Sequence, residues 1–290
     1  MTMSNKRTHD VVVYGATGYT GRLVCEYLRD RDPGCRWAIA GRNRAKLDAV
    51  HTELGLGDGV AVVVADSDDQ GSVDAMAADT RVLCTTAGPY RWYGSGLVAA
   101  CAAHGTDYVD LAGETPWMKE MIEAHHEAAV ASGARIVFAG GFDSVPSDLG
   151  VHLLQETAIE RHGSPMPRVR MRVRSLRGFG SGGSMASMRA ISQAAKENSS
   201  MVAALVDPFS LADGFRGPEQ PSGRERIEEE DFGGWSGPFM MAMINSRVVH
   251  RSNLLLDHRY GADLVYDEMI LLGPDPSDGS GDMSVDPGLQ

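Results

Sequence analysis

Residues 10–140 alternate six times between a short apolar run and a longer stretch of helical period, and this rhythm restricts the fold more than any single motif. The runs are Asp10–Tyr14, Arg36–Ala40, Val60–Ala65, Arg81–Thr85, Asp107–Leu111 and Ala134–Ala139. Most are apolar almost throughout, as parallel strands covered on both faces are. Between them, Leu23, Val24, Tyr27 and Leu28 form one helical stripe, and Leu47, Val50 and Leu54 another. From Thr115 to Ser132 no Gly intervenes, and Pro116 falls in the first turn, where Pro is tolerated. Strand–helix repetition implies right-handed crossovers. The expected fold class is α/β: a Rossmann-type doubly wound parallel sheet of six strands over residues 10–145, after a short N-terminal tail at 1–9.

Past about residue 150 the character changes. In Arg168–Arg177, Val169, Met171 and Val173 face one way and Arg168, Arg170, Arg172 and Arg174 the other, which predicts a strand with one wet face. A Gly-rich turn at Gly178–Gly183 leads into a predicted helix, Met185–Lys196. Residues 207–238, rich in Pro, Gly and acid, read as a long loop, and Arg247–Leu256 reads as a further strand. Residues 146–272 are thus expected to form a second, smaller α+β domain for substrate or interaction. The polar stretch 273–290 buries too little to offset its ordering entropy and is expected to be disordered.

Charge narrows the partners. With 27 basic and 39 acidic residues the net charge is −12, so a global field that holds nucleic acid is excluded. The four cysteines form no CxxC pair and read as small hydrophobes in a reducing compartment. Met1–Asp10 lacks an apolar signal core, and no run reaches the ~18 apolar residues of a span. The expectation is a cytoplasmic protein, with peripheral membrane contact and a homodimer left open.

Gly15-Ala-Thr-Gly18-Tyr-Thr-Gly21 follows the first strand and opens the first helix. The first glycine permits the tight turn, the second lets a phosphate approach the backbone, and the third allows close helix–strand packing. The helix start then offers free amides and partial positive charge to a pyrophosphate. Thr17, Tyr19 and Thr20 are placed to add contacts. Where NAD sites carry an acid about 20 residues past the glycines, this chain has Arg42-Asn43-Arg44. A guanidinium pairs with a 2′-phosphate that a carboxylate would repel. The predicted cofactor is therefore NADP(H), with Arg42 first, Asn43 beside it, and Arg44 or Lys46 assisting. Asp66 ends the third strand, where it reads either as a contact at the adenine edge or as a cap of the following turn. Ala87, Gly88 and Pro89 end the fourth, where small residues let a nicotinamide lie close. Gly178-Phe-Gly180-Ser-Gly-Gly183 also fits a dinucleotide pattern, but the arginines of the preceding strand argue against a second site.

The segments Gly15–Gly21, Ala40–Arg42, Ala87–Tyr90, Tyr108–Glu114 and Gly140–Asp148 together resemble the saccharopine dehydrogenase-like oxidoreductases, in particular the trans-acting enoyl reductase branch. The resemblance covers about residues 8–270, and Phe142–Asp148 is its most specific part. It implies an NADP-type domain, a mixed α+β domain, and reduction of a carbon–carbon double bond in an acyl or polyketide intermediate that a carrier protein could present. Relatives of this type look longer at the C-terminus.

Such a reduction delivers hydride to the β-carbon and a proton to the α-carbon, and the protein must polarise the carbonyl and exclude water. No metal is expected. No Tyr is followed four residues on by Lys, so the short-chain reductase pair is absent from the sequence. The catalytic candidates are Tyr90 as proton donor, which reads equally as an aromatic packing the domain junction, and Asp143 and Ser144 to orient substrate or nicotinamide. Glu114 is a further candidate; Ser144 and Ser147 read equally as helix caps. The arginine stripe reads first as a charged strand face and second as a carrier-protein contact. Two other functions stay open: a related reaction at a C=N or C=O bond, and a non-catalytic NADP-binding scaffold or sensor.

Overall fold

The computed structural model describes residues 7–31, 34–176, 189 and 199–273. The chain divides into two compact units; Arg189 aside, the first runs to Gly141 and the second begins at Phe142.

The first unit is a six-stranded sheet in the order β3-β2-β1-β4-β5-β6. Its strands are β1 (His9–Tyr14), β2 (Trp37–Gly41), β3 (Ala61–Val64), β4 (Thr80–Thr85), β5 (Asp107–Val109) and β6 (Ile136–Val137), all paired in parallel. The connecting helices are α1 (Tyr19–Arg31), α2 (Arg44–Glu53), α3 (Gln70–Ala78), α4 (Tyr90–Tyr93), α5 (Ser95–His104) and α6 (Thr115–Ser132). Strand order reverses between β1 and β4, which leaves a crevice at their carboxyl ends. One core cluster gathers Val13, Ala16, Cys25, Trp37, Ile39, Leu47 and Val50. Each large apolar side chain so buried contributes about 1.5–3 kcal/mol. In α2 the predicted stripe Leu47, Val50 and Leu54 is buried. In α1 it divides: Val24 and Leu28 are partly buried and pack against the core, Leu23 and Tyr27 are exposed, and Gly21 and Cys25 are the fully buried positions. Close packing at Gly21 centres the buried face of α1 on Gly21 and Cys25, with Val24 and Leu28 beside it.

The second unit holds a four-stranded sheet, β7-β10-β9-β8, of β7 (Arg168–Val173), β8 (Ile227–Glu229), β9 (Gly234–Pro238) and β10 (Val265–Gly273). Its helices are α7 (Val145–His162), α8 (Ser199–Val206) and α9 (Ala242–Leu255). Its core comprises Val151, Val169, Val249, Tyr260, Leu264 and Tyr266.

Three expectations need correcting here. Arg247–Leu256 falls almost wholly in α9, not in a strand. The buried face of α9 repeats at Asn245, Val249 and Asn253, a four-residue period carried mostly by asparagine and therefore invisible to an apolar count. Asn253 earns its burial by donating to Gly261 O at 2.8 Å and accepting from Tyr260 N–H at 2.9 Å. Residues 207–238 are not one loop, because β8 and β9 lie within them. Gly237 and Pro238 extend because β10 pairs with them. The arginine face of β7 is not wet throughout: Arg172 is 2% exposed in its side chain. The predicted turn Gly178–Gly183 lies outside the described residues, as do nearly all of the helix Met185–Lys196 and all but Gly273 of the tail. No helix among the described residues is long and apolar enough to cross a membrane.

Candidate functional site

The turn after β1 is built as a phosphate cradle requires. Gly15 has φ +86°, and a Cβ there would sit 3.0 Å from Ala87 N, at the neighbouring end of β4. Gly18 N–H donates to Gly15 O at 3.0 Å, closing the turn. A Cβ on Gly21 would collide with the Gly15 carbonyl and lie 2.8 Å from Ala16 Cα. Helix α1 thus rests directly on the turn. Its hydrogen-bond ladder opens with Arg22 N–H on Gly18 O, so the amides of residues 19–21 precede it. Thr17, Gly18 and Tyr19 are exposed, Thr20 partly so. The residues fit a pyrophosphate: exposed backbone at a helix start, with amides that the helix ladder does not use.

At the end of β2 the basic residues divide. Arg44 pairs with Asp48 at 2.8 Å. Arg42 is exposed and has no hydrogen bond or ion pair among the described residues. The Asn43 side chain is the N-cap of α2, accepting from Lys46 N–H at 3.0 Å. That leaves Arg42 and the Lys46 ammonium as the open cations. Asp66 accepts from Asp68 N–H at 3.2 Å and partly shapes the turn after β3.

Beyond β4, Ala87 N–H donates to Thr85 Oγ1 at 3.3 Å; Ala87 and Gly88 are half-buried and Pro89 is buried. Tyr90 is buried at 4% exposure and stacks on Trp117 with 5.7 Å between ring centroids. Its hydroxyl donates to Thr85 O at 3.3 Å and accepts from Leu111 N–H at 3.4 Å. Burial first, and the neighbouring Asp110 second, push the phenol well above its ordinary pKa. A proton donor at this position has to leave those contacts before it acts.

Two acids after β5 support this edge. Glu114 accepts from Tyr90 N–H at 2.9 Å on one oxygen and from Arg91 N–H at 3.0 Å on the other. Asp110 Oδ1 accepts from Ala112 N–H at 3.0 Å and Ala139 N–H at 2.9 Å, and Oδ2 accepts from Tyr108 hydroxyl at 2.8 Å. Burial raises the Asp110 pKa to about 7, against the opposing pull of those hydrogen bonds. Asp110 escaped the sequence reading as a site residue, although it lies inside the Tyr108–Glu114 segment.

Asp143 and Ser144 belong to the second unit. Asp143 is exposed, and its carbonyl accepts from Asn245 Nδ2 at 3.0 Å. Ser144 is buried and is the N-cap residue of α7, yet its hydroxyl makes no capping bond. The Ser147 hydroxyl donates instead to Glu268, whose carboxyl also accepts from Asn245 and Tyr266. The arginines of β7 find internal partners. Arg168 pairs with Asp267, Arg170 with Glu229 and Asp231, and Arg172 with Glu229 and Asp267. Asp267 and Glu229 are themselves buried. Three of the four arginines are therefore neutralised within the unit.

A parallel sheet reversing at β1/β4, a bare glycine turn there and an open guanidinium after β2 define a dinucleotide-binding protein of the phosphorylated-cofactor class. Residues 11–137 match the family described as saccharopine dehydrogenase NADP binding domain, and NADP(H) is the cofactor. The trans-acting enoyl reductase of Mycobacterium ulcerans is 39% identical over 280 residues, spanning 93% of this chain and 67% of its own. A Mycobacterium tuberculosis relative, assigned provisionally to the same group by its name, is 42% identical over 277 residues, spanning 92% of this chain and 66% of its own. The chain belongs to the trans-acting enoyl reductase family and spans about two thirds of the length of these curated relatives. Among solved structures, apo saccharopine dehydrogenase (L-Glu forming) from Saccharomyces cerevisiae covers 58% of this chain and 34% of its own at 18% identity, with a TM-score of 0.44.

Proposed function

We propose that the protein is an NADPH-dependent reductase of a carbon–carbon double bond in an acyl or polyketide-derived lipid intermediate. The observation that carries this reading is the exposed Arg42, without an ion pair among the described residues, beside the glycine turn, in a chain whose relatives are named for enoyl reduction. Bound NADPH supplies the hydride.

The residues of this chain hold and orient. The amides of the Gly15–Gly21 turn, with Thr17, Tyr19 and Thr20, grip the pyrophosphate. Arg42, helped by Lys46, binds the 2′-phosphate, and Asp66 borders the adenine. Ala87, Gly88 and Pro89 leave room for the nicotinamide. Tyr90 contributes through the loop it fixes rather than as a free acid. Asp143, exposed, orients substrate, and Ser144 shapes the backbone leading into α7.

The substrate is an enoyl thioester, on a carrier or free. The test is loss of NADPH absorbance with an enoyl thioester present, against matched keto and imino substrates. Turnover of the enoyl compound alone supports the reading; turnover of an imine or ketone alone replaces it.

A further inference from the structure

Asp110 and Glu114 are each 2% exposed, four residues apart on the loop after β5. Between them they take four backbone amides from three separate segments: Tyr90 and Arg91 at the start of α4, Ala112 after β5, and Ala139 after β6. Burying acids is costly unless every oxygen is satisfied. Closing three loops needs no such device, since exposed polar groups would do it more cheaply.

The loop after β6 is also held against its own preferences. Ala139 has φ +53°, a left-handed backbone that residues with a Cβ avoid. Gly140 and Gly141 lie so close to the β5 loop that a Cβ would meet Val109 Cγ2 at 2.6 Å and Leu111 Cβ at 2.9 Å. Gly140 N–H donates to Asp110 O at 2.7 Å. Strain of this kind persists where surroundings over-determine it, and it concentrates at functional edges. These loops stand at the carboxyl ends of the strands, where this fold places its ligands.

We propose that Asp110 and Glu114 are positioning residues for hydride transfer: they lock the loops after β4, β5 and β6 into one shelf that sets the register of the nicotinamide. The proposal rests on the NADPH-reductase reading for its chemistry. Neither acid touches the cofactor in this role.

The two differ in what they tolerate. An asparagine at 110 keeps Oδ1 for both amides and points Nδ2 at the Tyr108 hydroxyl. A glutamine at 114 sets an NH₂ against one of two amide donors. Glu114→Gln, Asp110→Asn and Asp110→Ala are compared for NADPH affinity, the emission shift of bound NADPH, thermal midpoint and turnover. Glu114→Gln and Asp110→Ala are expected to bind NADPH within about threefold of wild type, because the pyrophosphate and 2′-phosphate contacts are intact. Both lose the emission shift, and kcat falls about 10²-fold with KM little changed, as misregistered reactants require. Asp110→Asn keeps the shift and the turnover. If Glu114→Gln does not fold, Glu114→Asp, which keeps the charge but cannot span both amides, serves in its place. Lower thermal midpoints with emission and kcat intact would reduce both acids to structural roles and overturn the proposal; so would a wild type that binds NADPH with no emission shift. An emission shift without enoyl turnover would sink the reductase reading instead, leaving the shelf to be judged on emission alone.

Discussion

At the scale of single residues, three side chains carry distinct consequences. Arg42 is exposed and has no ion pair among the described residues, while Arg44 is held by Asp48. Arg42→Ala is expected to weaken NADPH binding by about 1.5–3 kcal/mol, the worth of a charge-assisted bond, and to leave NADH unchanged. Titration with both nucleotides checks this, and equal losses would discount the 2′-phosphate contact. Asp110 is a buried acid whose pKa rises from 3.8 to about 7. The folded state therefore keeps a proton that the unfolded chain has already released across that window. Its contribution to stability is full below the lower value and is lost as pH rises through about 7. Asp110→Asn should flatten this slope in urea titrations run between those limits, whereas Asp110→Ala should cost about 1–3 kcal/mol for each amide it orphans. Cys25 is fully buried, and desolvation pushes its thiol up to about 12, so it should resist thiol reagents in the native state.

At the scale of elements, α1 and β7 show how a neighbour decides what a segment does. Helix α1 seats itself on the glycine turn because Gly21 has no side chain. Gly21→Ala should shift α1 off the turn, costing about 1–3 kcal/mol as overpacking does, and should weaken NADPH binding with it. Circular-dichroism melts with and without NADPH measure both effects. Strand β7 was legible as a strand from its alternation, but its charged face was assigned to water. Asp267 on β10 and Glu229 on β8 were too far away in sequence to be seen as partners. Arg172→Met takes the one buried cation from Asp267 and Glu229, leaving them only the more exposed Arg168 and Arg170, and is expected to cost about 3–5 kcal/mol, since removing one member of a buried set is worse than never having built it. If urea unfolding showed no loss, the network would be dispensable. The internal pairing also leaves little of this face for an acidic carrier protein.

At the scale of the whole molecule, the residues matching an NADP binding domain, 11–137, lie within the first unit. NADPH at a hundredfold excess over its Kd should stabilise that unit by about 2.7 kcal/mol. Scanning calorimetry should therefore show one transition that climbs with NADPH and one that does not; two transitions rising together would mean the units unfold as one. The sequence alone was enough to determine the six parallel strands, the glycine turn and the choice of cofactor. Each of these depends on residues adjacent in the chain: apolar runs of strand length, glycines spaced for a turn, a basic residue after the second strand. What required the tertiary structure was everything settled between distant residues. The buried seat of Tyr90 depends on Trp117, Thr85 and Leu111, the quenching of the arginine stripe on β8 and β10, and the helical state of α9 on asparagines that bury only when partnered. Short-range periodicity records which face of a segment is apolar; it holds no record of which polar group, a hundred residues away, will satisfy a buried charge.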